Sequence, residues 1–232
     1  MQISTAIILA GGLGTRLRSV VSDLPKCMAP INQRPFLDHV IQYLKKQGIQ
    51  NFIFSLGYKA DTIIEHIQTH YSDLNAEFAI EPSPLGTGGA IHYACQYVHD
   101  DNVIIVNGDT LFEANLNALA KLHISHHSEC TIALKPMKDF QRYGIVTLNE
   151  QNQVTGFKEK QYYSEGLING GIYALNIHSF LAKSFKDIFS FEKDYLEAYS
   201  SKGLFCGYKS DAYFIDIGIP EDYERAQKEL KF

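Results

Sequence analysis

A run of glycines and a few widely separated charged side chains carry the chemistry this sequence offers. The apolar stretch Ala6-Ile7-Ile8-Leu9-Ala10 empties into Gly11-Gly12-Leu13-Gly14-Thr15-Arg16. Closely spaced glycines let the backbone take φ > 0 and approach a ligand, and successive N–H groups can then point at an anion. Arg16 and Lys26 add fixed positive charge beside that loop. Two acids stand much further along. Asp109 lies in Asn107-Gly108-Asp109-Thr110, and Asp216 in Phe214-Ile215-Asp216-Ile217-Gly218-Ile219-Pro220, each at the end of an apolar strand pattern. Strand ends of this kind open onto the ligand crevice of α/β sheets. Mg²⁺ is usually held by one or two carboxylates plus phosphate oxygens, which this pair could supply.

Other assignments of these residues fail on spacing. A Walker A loop needs Gly-x-x-x-x-Gly-Lys-Ser/Thr, but Leu17 and Arg18 stand where the second glycine and the lysine belong. The dinucleotide fingerprint also fails, because Gly12 and Gly14 are correctly spaced while its third glycine position is Leu17. His123, His126 and His127 lie near Cys130, yet no ordered second pair accompanies them, and the end of a polar helix accounts for them. No local Ser-His-Asp or Cys-His motif is visible.

The elements that must position these residues alternate. Phe36, Leu37, Val40, Ile41 and Leu44 recur at helical spacing between Pro35 and Gly48, and Phe52 to Leu56 reads as a buried strand. A helix follows Asp61, then strand Glu77 to Ile80, helix Ala90 to Tyr97 and strand Val103 to Val106. This βαβ repetition predicts an α/β fold, a Rossmann-like three-layer sandwich with a mostly parallel central sheet. Past Pro136 the pattern changes. Gly144 to Leu148 and Val154 to Lys158 flank a polar turn and predict a hairpin, followed by strands at Ile172 to Leu175, Leu204 to Cys206 and Tyr213 to Ile215, and a helix from Glu221 to Leu230. Residues 1–232 therefore read as one domain, with a nucleotide-binding half at 1–135 and a small β elaboration over a second substrate at 136–232.

Bulk properties narrow the setting. A net charge of −5 without a basic run argues against nucleic acid as a partner, so phosphate binding must be local. Four scattered cysteines without a Cys-x-x-Cys pair point to a reducing compartment. The N-terminal apolar run is too short for a signal peptide or a membrane span, so the expected setting is the cytoplasm, with no membrane partner.

Gly-Gly-x-Gly-Thr-Arg-Leu followed by the Pro25-Lys26 pair resembles the signature of the sugar-1-phosphate nucleotidyltransferases. Within that family, Leu24-Pro25-Lys26, Met28-Ala29-Pro30, the Glu81 segment and Phe214 to Tyr223 look most like the D-glycero-α-D-manno-heptose 1-phosphate guanylyltransferases. Ser19, Val21, Cys27 and Ile219 depart from the residues many relatives carry there, and leave the charged groups intact. The resemblance implies a GT-A-like fold, GTP and a sugar 1-phosphate as substrates, with guanylyl transfer to mannose 1-phosphate or uridylyl or thymidylyl transfer to another sugar 1-phosphate as the alternative, Mg²⁺ as cofactor, and compatibility with a homodimer. It assigns Leu9, Ala10, Gly11, Gly12, Gly14 and Thr15 to the nucleotide, with Glu81, Gly86, Thr87 and Gly88 reading the base and ribose. Arg16, Lys26 and Lys160 become the catalytic cations, Asp109 and Asp216 the metal ligands. Gly144, Glu159, Lys160, Asn169 and Gly170 fall at the sugar-phosphate positions. A non-catalytic regulatory relative would be free to lose such charges; here they are all retained.

Overall fold

The computed structural model describes residues 3–12, 23–158 and 160–231. Strand β1 (Thr5–Leu9) is buried on both faces and lies at the centre of a nine-stranded sheet. Its continuous apolar run follows from that position, since neither face meets water. Successive side chains point to opposite sides. Ala6 and Ile8 enter one core, and Ile7 enters the other.

The short strands β2 (Pro30–Ile31) and β3 (Arg34–Pro35) pair with each other and lead into helix α1 (Phe36–Lys46). Then come β4 (Asn51–Leu56), α2 (Ala60–His70), β5 (Asn75–Ile80), α3 (Gly86–Ala94), β6 (Asn102–Asn107), the short β7 (Thr110–Phe112) and α4 (Leu116–Ser125). β6, β1, β4 and β5 run parallel in that spatial order, as βαβ crossovers require. Helices α1, α2 and α4 cover one face and α3 covers the other, giving the three layers expected.

The second half contributes β8 (Cys130–Phe140), β9 (Ile145–Leu148), β10 (Val154–Lys158), β11 (Tyr163–Asn176), α5 (Ile177–Leu181), β12 (Phe205–Lys209), β13 (Phe214–Asp216) and α6 (Pro220–Glu229). The predicted hairpin is present, with Val154 opposite Leu148 and Lys158 opposite Ile145. β11 extends the sheet by pairing antiparallel with β6, Ile172 opposite Val106, and with β8 along both of its halves, Tyr163 opposite Phe140 and Leu175 opposite Cys130. Between Asn169 and Tyr173 its register against β8 shifts. β12 then adds parallel to β8.

Two expectations are corrected. The helix expected at Ala90 to Tyr97 begins at Gly86, so Gly86 to Gly89 form its first turn rather than an open loop. That turn is held by packing against the chain around Phe189, which overrides the poor helix propensity of glycine. The long strands β8 and β11 replace what read as loop and as one short strand. The ribbon β7–β13 is separate from the main sheet, and it pairs Asp216 with Thr110. It thereby carries the late acid to the residue next to the early one.

Candidate active site

Among the described residues, a cleft of about 700 Å³ opens at the carboxyl ends of β1, β4 and β6. Its walls include Leu9, Ala10, Gly11, Gly12, Lys26, Glu81, Gly86, Thr87 and Asp109, so the structure brings these expected site residues together. Gly14, Thr15, Arg16 and Glu159 lie outside the described residues. The strand ends make the cleft. Backbone bonds from Ala10 N–H to the Ser55 carbonyl and from Gly108 N–H to the Leu9 carbonyl, both 2.9 Å, tie β1 to its neighbours just before the loop departs.

Lys26 opens a one-turn 3₁₀ segment, Lys26–Met28, whose Cys27 and Met28 side chains are buried. Those two anchors leave the lysine to reach into the cleft. Its Nζ lies 2.5 Å from Asp109 Oδ2 and 3.3 Å from Asp216 Oδ1, with only 11% of the side chain exposed. Both carboxylates therefore converge on a single cation position. Asp216 is further held by the Gly218 N–H, 2.8 Å from Oδ1, and lies 3.4 Å from the Tyr143 hydroxyl. Burial, reinforced by the Asp216 charge, pushes that phenol up to about 12, which keeps it a donor. The donor set is all oxygen and suits a hard divalent cation. Among the described residues no group of three or more His, Cys, Asp or Glu side chains gathers as a metal cluster, so phosphate and water would complete the shell.

Glu81 extends from the end of β5, where its N–H bonds the Leu56 carbonyl at 2.8 Å. One carboxylate oxygen accepts the Leu85 N–H at 2.8 Å, and the other stands 2.7 Å from where a Cβ on Gly11 would sit. Glycine at 11 is thus what admits the acid to the cleft floor. Burial raises its pKa, opposed by the Leu85 bond. Cys27 also lines the cleft, but burial and the nearby Asp109 charge push its thiol up to about 12, which removes it as a nucleophile at neutral pH.

Not every expected residue reaches the cleft wall. Gly88 donates its N–H to the Phe189 carbonyl at 3.0 Å, and a Cβ there would sit 2.2 Å from the Phe189 ring. Packing against Phe189 by itself requires glycine at this position. Because Phe189 is stacked on Phe185 at 4.2 Å and has little room to yield, Gly88→Ala should destabilise the fold by roughly 1–3 kcal/mol. Chemical denaturation would check this, and an unchanged midpoint would contradict the packing account. Asn169 spends its carboxamide within β11, accepting the Gly171 N–H at 3.0 Å and donating to the Tyr173 hydroxyl at 2.8 Å. Gly170 is pressed against the Phe112 ring. Gly144 precedes β9 and Lys160 lies exposed between β10 and β11; neither lines the cleft.

The nucleotidyl transferase family model matches residues 5–231, which is nearly the whole chain. The chain belongs to the nucleotidyl transferase family. Among relatives of this nucleotidyl transferase, the D-glycero-alpha-D-manno-heptose 1-phosphate guanylyltransferase of Aneurinibacillus thermoaerophilus is 52% identical over 226 residues, covering 97% of this chain and 98% of that one. The enzyme of the same name from Campylobacter jejuni is 46% identical over 219 residues, covering 94% and 96%. A crystal structure of HddC from Yersinia pseudotuberculosis, complexed with GMP-PN, superposes with a TM-score of 0.88 at 40% identity, covering 99% of this chain and all of that one.

Sequence reasoning missed Asn107 and Glu192, which both line the cleft. Asn107 belongs to the quoted Asp109 motif, and its strand-end position was the available signal. Glu192 accepts the hydroxyls of Thr87, 2.7 Å, and Ser190, 3.0 Å. It sits in a π-helical segment, Phe191–Glu197, whose sequence has no usable periodicity. The histidines near Cys130 resolve as structure: His123 is buried, bonded through Nδ1 to Thr131 Oγ1 at 3.0 Å and through Nε2 to Asn102 Oδ1 at 3.1 Å. Burial lowers its pKa to about 4, so it is a neutral core residue.

Proposed function

We propose that this nucleotidyl transferase moves GMP from GTP to D-glycero-α-D-manno-heptose 1-phosphate, forming GDP-heptose and pyrophosphate. The observation that carries this reading is the 52% identity, over nearly all of both chains, to a relative named for that reaction. Lys26 held between two carboxylates in the cleft supports the chemistry. One sheet runs through both halves of the chain, which supports a single catalytic domain. Four buried, unbridged cysteines support a cytoplasmic setting.

The nucleophile is a phosphate oxygen of the sugar 1-phosphate and is already anionic, so no side chain has to take a proton from it. It attacks the α-phosphorus in line, and pyrophosphate leaves as that bond forms. The barrier lies in bringing anions together and in stabilising the transferring phosphoryl group. The N–H groups of Gly11 and Gly12, with Gly14, Thr15 and Arg16, receive the triphosphate. Lys26 neutralises the α-phosphate and the incoming oxygen. Asp109 and Asp216 would hold Mg²⁺, which would supply further neutralisation of phosphate oxygens. Lys160, Glu159 and Gly144 hold the sugar 1-phosphate in this reading.

Glu81 selects the base in this reading. An ionised carboxylate is acceptor-only and suits the adjacent N1–H and N2 amino donors of guanine, whereas uracil and thymine would turn carbonyl oxygens toward it. Because burial raises the Glu81 pKa, guanine preference is expected above that raised value and should fade as pH falls through it. Specificity constants for GTP, dTTP and UTP in wild type and Glu81→Gln test the assignment. The variant should lose about tenfold or more of its preference for GTP, as expected when a charge-assisted hydrogen bond is removed. A variant with an undiminished preference would rule out the carboxylate as selector.

A further inference from the structure

Strand β6 is the seam of the sheet: β1 pairs with it in parallel on one side, and β11 in antiparallel on the other. Its last residue, Asn107, lies opposite Leu9, at the root of the phosphate loop, and two residues before Asp109. Asn107 lines the cleft, and its carboxamide has no hydrogen-bond partner among the described residues. A polar group of this kind, half-buried at a ligand crevice, is what a hydroxylated substrate would satisfy.

The seat of that carboxamide is built. Gly171 has φ +74°, and a Cβ there would stand 2.7 Å from Asn107 Nδ2. The left-handed residue lets β11 close on Asn107 at the point where the strand changes register. Asn169 fixes that bend through its bond to the Gly171 N–H. Of these two carboxamides, that of Asn107 is the one without a partner among the described residues, and Asn169 shapes the backbone behind it.

Resting on the proposed function, we propose that Asn107 is a specificity-determining residue that hydrogen-bonds the sugar hydroxyl adjacent to the phosphate-bearing carbon. Topology selects that hydroxyl. The reacting phosphate must lie between the triphosphate loop after β1 and the Lys26, Asp109 and Asp216 group, and Asn107 lies between that loop and the β11 bend. The sugar atoms nearest the phosphate therefore fall beside it. A carboxamide offers both a donor and an acceptor to a hydroxyl, and its fixed position discriminates the axial 2-hydroxyl of a manno sugar from an equatorial one.

The test pairs the residue with the hydroxyl. With GTP and Mg²⁺, kcat/KM is measured for the heptose 1-phosphate and its 2-deoxy analogue in wild type and in Asn107→Ala, a variant that opens space rather than crowding Gly171. Wild type should lose about tenfold on the deoxy analogue, the scale of one hydrogen bond, and the variant should show little or no such loss while keeping its KM for GTP. Asn107→Ser, which retains a short hydrogen-bonding group, gives the same comparison if the alanine variant does not fold. An equal deoxy penalty in wild type and variant would overturn the role of Asn107 while leaving the proposed function standing. Wild-type enzyme that turns over neither sugar with GTP would overturn both.

Discussion

Lys26→Ala should lower turnover about a hundredfold at saturating substrates, because it removes the fixed cation facing the reacting phosphates. Losing one such preorganised donor costs on the order of 3 kcal/mol of transition-state stabilisation. The side chain is suited to that task by its setting. With 11% exposure it is withdrawn from solvent screening, and the buried Cys27 and Met28 fix the turn that carries it. The substitution also leaves Asp109 and Asp216 facing each other without their shared cation. A modest drop in thermal midpoint, partly restored by added Mg²⁺, is therefore expected beside the kinetic loss. Folded Lys26→Ala with wild-type kcat would remove Lys26 from the chemistry.

The second large effect concerns the acids. Asp109→Asn and Asp216→Asn keep side-chain shape but remove the charge that holds a divalent cation. Loss of partners behind a metal ligand already costs about 10–100-fold in affinity or activity, so loss of a ligand should cost at least that. Both variants should need more Mg²⁺ for half-maximal rate. The two need not match. Asp216 is anchored by Gly218 N–H and lies 3.3 Å from Lys26, while Asp109 accepts the Thr110 hydroxyl at 3.2 Å and makes the shorter, 2.5 Å, lysine contact. Asp109→Asn should therefore release Lys26 more fully and lose more activity. Turnover measured across a Mg²⁺ titration checks this, and an unchanged Mg²⁺ requirement in both variants would eliminate the two-carboxylate site.

The parts of this site that lie on regular local signals were legible in the sequence. β1 and the glycine loop stood out because an unbroken apolar run ends in closely spaced glycines, and α1, α2 and the β9–β10 hairpin because their apolar positions keep a clear period. Asp109 and Asp216 were named because each ends a strand. Their approach was not legible, since it depends on the β7–β13 ribbon, two three-residue strands joined across most of the second half of the chain. Nor was the first turn of α3, where glycine-rich sequence reads as loop and only packing on Phe189 makes it helical. Asn169 and Asn107 look alike in the sequence, which shows that an asparagine is present but not that Asn169 bonds within its own strand while Asn107 has no partner among the described residues.

The proposed function pairs GTP with a manno-configured heptose 1-phosphate. It is tested most directly by following sugar-nucleotide formation and pyrophosphate release in the presence of Mg²⁺, with GTP, dTTP and UTP each offered against D-glycero-α-D-manno-heptose 1-phosphate, mannose 1-phosphate and glucose 1-phosphate. GDP-heptose is expected as the product with the highest specificity constant, formed with one pyrophosphate per sugar nucleotide. A higher constant for dTTP or UTP, or no product from GTP and the heptose 1-phosphate, would contradict it.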